Sequence, residues 1–161
     1  MTPESSVVEV TLESDLKNVE VAEEITRRVA GTAGFDEDEQ QRIEMAVHET
    51  MINAIWHGNQ NDCSKSVWLQ FKVLRDRLEI RVRDQGNGFD PNRVPDPRNN
   101  ENLLNVSGRG IFLIRAFMDE FRVEHVTGTG TEVTMVKRLS SGIQTKQGGS
   151  DREHESHNTT S

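Results

Sequence analysis

The chain has 161 residues, 33% hydrophobic and 29% charged, with a net charge of -8. That length holds one domain with a proper core, and an acidic surface argues against nonspecific binding to nucleic acid or anionic lipid, both of which reward positive charge. No apolar run approaches the roughly 18 to 20 residues of a membrane span, Met1 to Glu13 lacks the basic start and apolar stretch of a secretory signal, and the single cysteine, Cys63, excludes an internal disulfide. A soluble, cytoplasmic protein is predicted, with neither nucleic acid nor membrane as a direct partner.

In chain order, Val7 to Leu12 is β-prone. Ser14 or Asp15 can then cap a helix whose apolar positions Leu16, Val19, Ala22, Ile25 and Val29 follow helical spacing, closing near Gly31 and Gly34. Asp36 can cap a second helix running to about His57, where Gly58 and Asn59 end it. Ser66 to Leu74 and Leu78 to Arg83 form a hairpin across Arg75-Asp76-Arg77. From Asp90 to Ser107 three prolines and several asparagines signal a mobile loop. Arg109 to about Met118 reads as a helix, and Phe121 to Val126 with Thr131 to Leu139 as a closing hairpin across residues 127–130. The tail from Ser140 to Ser161 carries one aliphatic residue, Ile143, and is expected to be disordered. The order of elements predicts an α+β two-layer sandwich, a mixed and mostly antiparallel sheet with helices on one face, over residues 7–139.

Three blocks carry the chemistry. On the second helix Ile43, Val47, Met51 and Ala54 face the sheet, and Glu49, Asn53 and His57, spaced four apart, form a row along the edge of that stripe. Asn53 can offer a neutral oxygen to Mg²⁺, and Glu49 can accept a proton from a group attacking a terminal phosphate. Asp84 stands at the end of an alternating strand, where a carboxylate can accept from the exocyclic amine of adenine and disfavour the guanine carbonyl; Gly86 and Gly88 let the backbone approach the base. Gly108-Arg109-Gly110 opens an apolar helix, whose free N–H groups favour phosphate. Arg109 either adds charge to that phosphate or is an ordinary surface arginine. The blocks match neither a Walker P-loop nor a Rossmann glycine pattern. His48, Trp56 and Cys63 carry no functional assignment, and His154 and His157 lack the company of a metal site.

The strings Glu49-x-x-x-Asn53-Ala-x-x-His57-Gly58, Asp84-x-Gly86-x-Gly88 and Gly108-Arg-Gly-Ile-Phe-Leu-Ile-x-x-Phe-Met-Asp resemble the N, G1 and G2 boxes of the Bergerat-fold ATPases. Within them the chain most resembles the anti-sigma factor serine/threonine kinases, from about Val7 to Arg138. The resemblance implies that Glu49 is the general base and Asn53 the Mg²⁺ ligand. It also implies that Asp84 reads adenine beside Gly86 and Gly88, that Gly108 and Gly110 lie on the phosphate side, and that residues 90–107 form a lid. Thr131 matches a hydroxyl near the nucleotide, although a strand threonine serves β propensity equally well. For His57 a contact near the phosphates and packing at the helix end both stand. The implied activity is ATP- and Mg²⁺-dependent phosphorylation of a STAS-type antagonist by a kinase that otherwise sequesters a sigma factor in a partner-switching circuit. The alternative is a non-catalytic ATP-binding module that sequesters a protein partner. Dimerisation is common among such relatives, so the resemblance also admits a homodimer.

Overall fold

The structure, a computed structural model, describes residues 5–86, 108–126 and 130–140. Alternation builds its sheet. In β2 (Ser66–Leu74) Val67, Leu69 and Phe71 are buried on one face while Trp68, Gln70 and Lys72 stand on the other, and β3 (Arg77–Arg83) repeats the pattern with Leu78, Ile80 and Val82. With β1 (Ser5–Glu13), β4 (Glu120–Val126) and β5 (Gly130–Arg138) they form a sheet of order β1-β2-β3-β5-β4, antiparallel at each described pairing. The register brings Val8, Phe71, Ile80, Met135 and Phe121 side by side across all five strands. Phe71, Ile80 and Met135 are fully buried while Val8 on the edge strand is 40% exposed; full burial stabilises such a side chain by roughly 1.5 to 3 kcal/mol, so register and core enforce one another at the centre of the sheet.

The helices cover that face. In α1 (Lys17–Ala33) Val19, Ala22 and Val29 are buried, and the helix closes at Gly34, whose φ of 102° suits only glycine well. Three details depart from the sequence expectation. Leu16 lies just before the helix and is 41% exposed, and Gly31 sits inside the helix. Neither proposed cap occupies the cap position, which is Leu16 with no side-chain cap hydrogen bond; Asp15, one residue earlier, accepts from the Lys17 N–H at 3.0 Å. Asp36 caps α2 (Glu37–Ile52) as expected, accepting from the Glu39 N–H at 2.8 Å. Ile43, Val47, Met51 and Ala54 are all buried, which confirms the apolar stripe. The third described helix, α3 (Gly108–Phe117), buries Ile114 against the same core.

The second helix changes type before it ends. It is α-helical to Ile52 and π-helical from Asn53 to Gly58, with the Asn59 N–H reaching the Ala54 carbonyl at 2.8 Å. A π turn adds a residue per repeat and rotates the last turn of the helix, so strict four-residue spacing does not carry through to His57. The opposite face of the sheet is polar. There Arg83 lies 4.9 Å over the Trp68 ring and its Nε donates to Glu132 at 2.9 Å, while Gln70 donates to Glu9 at 2.7 Å. No helix among the described residues is long and apolar enough to cross a membrane.

Candidate functional site

The end of β3 meets the end of the second helix at Asp84. Its side chain is buried, 5% exposed, with Oδ1 accepting from the backbone N–H groups of Gly86 at 3.0 Å and Thr131 at 3.1 Å. The Asp84 N–H continues the ladder to the Thr131 carbonyl at 3.0 Å. Burial pushes the carboxyl above the usual aspartate range, opposed by those two N–H groups and by the charges of Lys65 and His125. Both backbone donors converge on Oδ1. That leaves Oδ2 to serve an incoming donor.

Three glycines make this burial possible. A Cβ on Gly58 would overlap the Asp84 carboxylate, one on Gly86 would strike the Gly58 carbonyl, and one on Gly130 would strike the Asp84 backbone oxygen. Gly130 also has a φ of 109°, where a side chain is strained. Sequence alone marks Gly58 as a helix stop closing the first string and Gly130 as the end of a hairpin turn, and connects neither to Asp84. Their adjacency to His57 and Thr131 in the chain is the available signal, but close approach to Asp84 depends on folding. Gly58→Ala is expected to displace the carboxylate, lower stability by about 1 to 3 kcal/mol and weaken nucleotide binding at least tenfold, read by thermal melting and titration.

Asp84 lines a cavity of about 180 Å³ together with Asn53, His57, Gly58, Val82, Ile111, Ile114 and Thr131. This volume is below the roughly 300 to 1,000 Å³ of pockets that enclose a drug-sized ligand, so it suits a flat base more than a whole nucleotide. Thr131 and half-buried His57 are in this cavity, and Thr131 bonds to Asp84 through its backbone N–H and carbonyl. Asn53 presents a buried Oδ1 with no hydrogen-bond partner among the described residues. A buried acceptor left open is costly unless something else meets it.

Glu49, one turn earlier, belongs to a different space. With Arg109 and Gly110 it lines a larger open groove of about 810 Å³ between α1, α2 and α3, alongside Glu23, Arg27, Glu37, Glu44 and His48. Arg27 pairs with Glu44 at 2.7 Å, and His48 with Glu23, across the α1–α2 seam of that groove. The predicted row is therefore divided, with Asn53 and His57 facing the small cavity and Glu49 facing the groove. Gly108, Arg109 and Gly110 are the first turn of α3 itself; Gly110 is buried and Arg109 exposed. Gly88, the predicted lid at residues 90–107, the hairpin turn at 127–129 and the tail from Ser141 onward lie outside the described residues.

The histidine kinase-like ATPase domain family matches residues 12–137. A serine-protein kinase RsbW of Bacillus subtilis (strain 168) is 33% identical over 118 residues, covering 70% of this chain and 72% of the relative. The chain belongs to this family. It is an RsbW-type serine-protein kinase within the histidine kinase-like ATPases, and ATP use comes with that membership. The RsbW of Bacillus velezensis is 27% identical over 146 residues, 87% of this chain and 90% of its own length. Among solved structures, that of the RsbU and RsbW domains of Rv1364c from Mycobacterium tuberculosis aligns with a TM-score of 0.61 at 19% identity, covering 83% of this chain. This chain spans 32% of that longer one, and the likeness shows the shared α+β fold.

Proposed function

We propose that residues 7–139 form a Mg²⁺- and ATP-dependent protein serine/threonine kinase of the cytoplasm, an anti-sigma regulatory factor that phosphorylates a STAS-type antagonist in a partner-switching circuit. The observation that carries this reading is the pair of spaces that α2 and α3 both line. A small cavity holds the buried carboxylate of Asp84, and the open groove beyond it holds Glu49 with the first turn of α3.

The roles follow from chemistry. Asp84 Oδ2 accepts from the adenine amine, which a guanine carbonyl cannot supply, while Val82 and Ile114 flank the base. The N–H groups opening α3 and the charge of Arg109 attract the phosphates, a local positive end on an acidic protein. Asn53 fits a Mg²⁺ ligand because its buried Oδ1 is unpartnered among the described residues, and magnesium takes neutral oxygen donors beside phosphates. When bound, the metal supplies neutralisation of phosphate charge. Glu49 orients the attacking serine hydroxyl and accepts its proton. The groove around Glu49 is open enough to admit a segment of another protein, and Glu49 stands in it as the base that catalysis needs and sequestration does not.

Purified protein incubated with ATP, Mg²⁺ and STAS proteins encoded beside it is expected to give phosphoserine on one of them, abolished by chelating the metal. Retention of that STAS protein with no phosphate transfer under any metal condition would favour the sequestering module.

A further inference from the structure

Asn59, the first residue past the π-helical turn, is fully buried, a position a primary amide occupies when its hydrogen bonds are met. Its Oδ1 accepts the Gln85 N–H at 2.7 Å and its Nδ2 donates to the Ser66 carbonyl at 3.1 Å. The Gln85 side chain closes the circuit, its Oε1 accepting the Ser66 N–H at 2.8 Å. Asn59, Ser66 and Gln85 thus tie together the helix end, the start of β2 and the residue after Asp84. Asn59 does not line the small cavity.

This circuit bears directly on Asp84. The peptide N–H before its side chain is held by the Thr131 carbonyl on β5, and the one after it by Asn59 from the opposite side. Gly86, whose N–H fixes Oδ1, is one residue further on, so its position depends on the Gln85 peptide. Removing the Asn59 amide leaves the Gln85 N–H without its partner, lets the Gln85–Gly86 segment relax, and frees the carboxylate to rotate. A rotated carboxylate still carries its charge, but it loses its aim.

We propose that Asn59 is a positioning residue for base selectivity: its side-chain amide directs the Asp84 carboxylate through the Asp84–Gln85 peptide without touching the nucleotide. The proposal rests on Asp84 as the reader of adenine. Selectivity responds to the direction of that carboxylate, whereas the phosphate contribution to binding is the same for ATP and GTP. The ratio of the two affinities therefore isolates positioning from general support of the fold.

The test measures ATP and GTP dissociation constants on the full chain by calorimetric titration, with melting temperature recorded in parallel. Asn59→Ala is expected to lower the ATP-over-GTP preference about tenfold, the scale of one lost directional hydrogen bond. Asn59→Asp keeps an acceptor for the Gln85 N–H and loses the donor to Ser66, so it should melt earlier yet retain the preference to within about threefold. If Asn59→Ala does not fold, Asn59→Leu carries the test, filling a similar volume without an acceptor for the Gln85 N–H, and should lower the preference about tenfold. Equal weakening of both nucleotides, or earlier melting with the preference intact in the variant that carries the test, overturns the proposal. Asp84→Asn separates the two claims. If it keeps the preference for ATP, the adenine reading itself falls; if it abolishes the preference while Asn59→Ala does not, only the role of Asn59 falls.

Discussion

Glu49→Ala is expected to slow phosphate transfer by about 10²- to 10⁴-fold while leaving ATP affinity nearly unchanged, because a general base acts on the attacking hydroxyl and not on the bound nucleotide. The structure sharpens this expectation. Glu49 lines the open groove with Arg109 and Gly110, and the cavity of Asp84 is formed by other side chains, so its removal should not disturb base recognition. Half-buried Glu49 is also outside the hydrophobic core, and the variant should melt close to the parent. Single-turnover transfer from labelled ATP to the protein substrate, with nucleotide titration in parallel, checks both halves. An unchanged transfer rate removes Glu49 from the chemistry.

Asp84→Asn should have the opposite profile, with ATP binding weakened by about 10- to 100-fold, the scale of a lost charged hydrogen bond, and stability kept or raised. An asparagine oxygen can still accept from Gly86 and Thr131, so the local backbone retains its partners. What disappears is a charge that burial makes costly. The sign comes from the raised pKa. The native state holds the proton more tightly than the unfolded chain, so the carboxyl's contribution to stability is greatest below the ordinary aspartate pKa and is lost as pH rises through the raised one. Asp84→Asn should therefore gain on the parent as pH rises across that window, measured by denaturant unfolding at a series of pH values. A gap that stays constant with pH, or widens toward acid, contradicts the account.

How far the sequence could be read depended on whether a feature was local. The apolar stripe of Ile43, Val47, Met51 and Ala54, the cap at Asp36 and the bounds of β2 follow from spacing and from side chains bonding within a few residues, and all are found as expected. Two misplacements, Leu16 in the apolar stripe and Gly31 at the end of the helix, fall at the ends of α1, where a single turn decides the boundary. The π-helical stretch from Asn53 to Gly58 left no such mark. An ordinary α-helix fits the same residues, so local spacing does not distinguish the wider turn.

By itself, then, the sequence determined an acidic α+β domain with three blocks of residues suited to metal, base and phosphate, and family membership through the strings that hold them. Tertiary structure decided how those residues share space. It placed Glu49 in one groove and Asn53 with Asp84 in another, packed Gly58, Gly86 and Gly130 where any Cβ would collide, and brought Asn59 against Gln85. The physical reason is that periodicity and capping act over a few residues, whereas burial of a carboxylate and closure of an amide circuit require elements distant in sequence to meet.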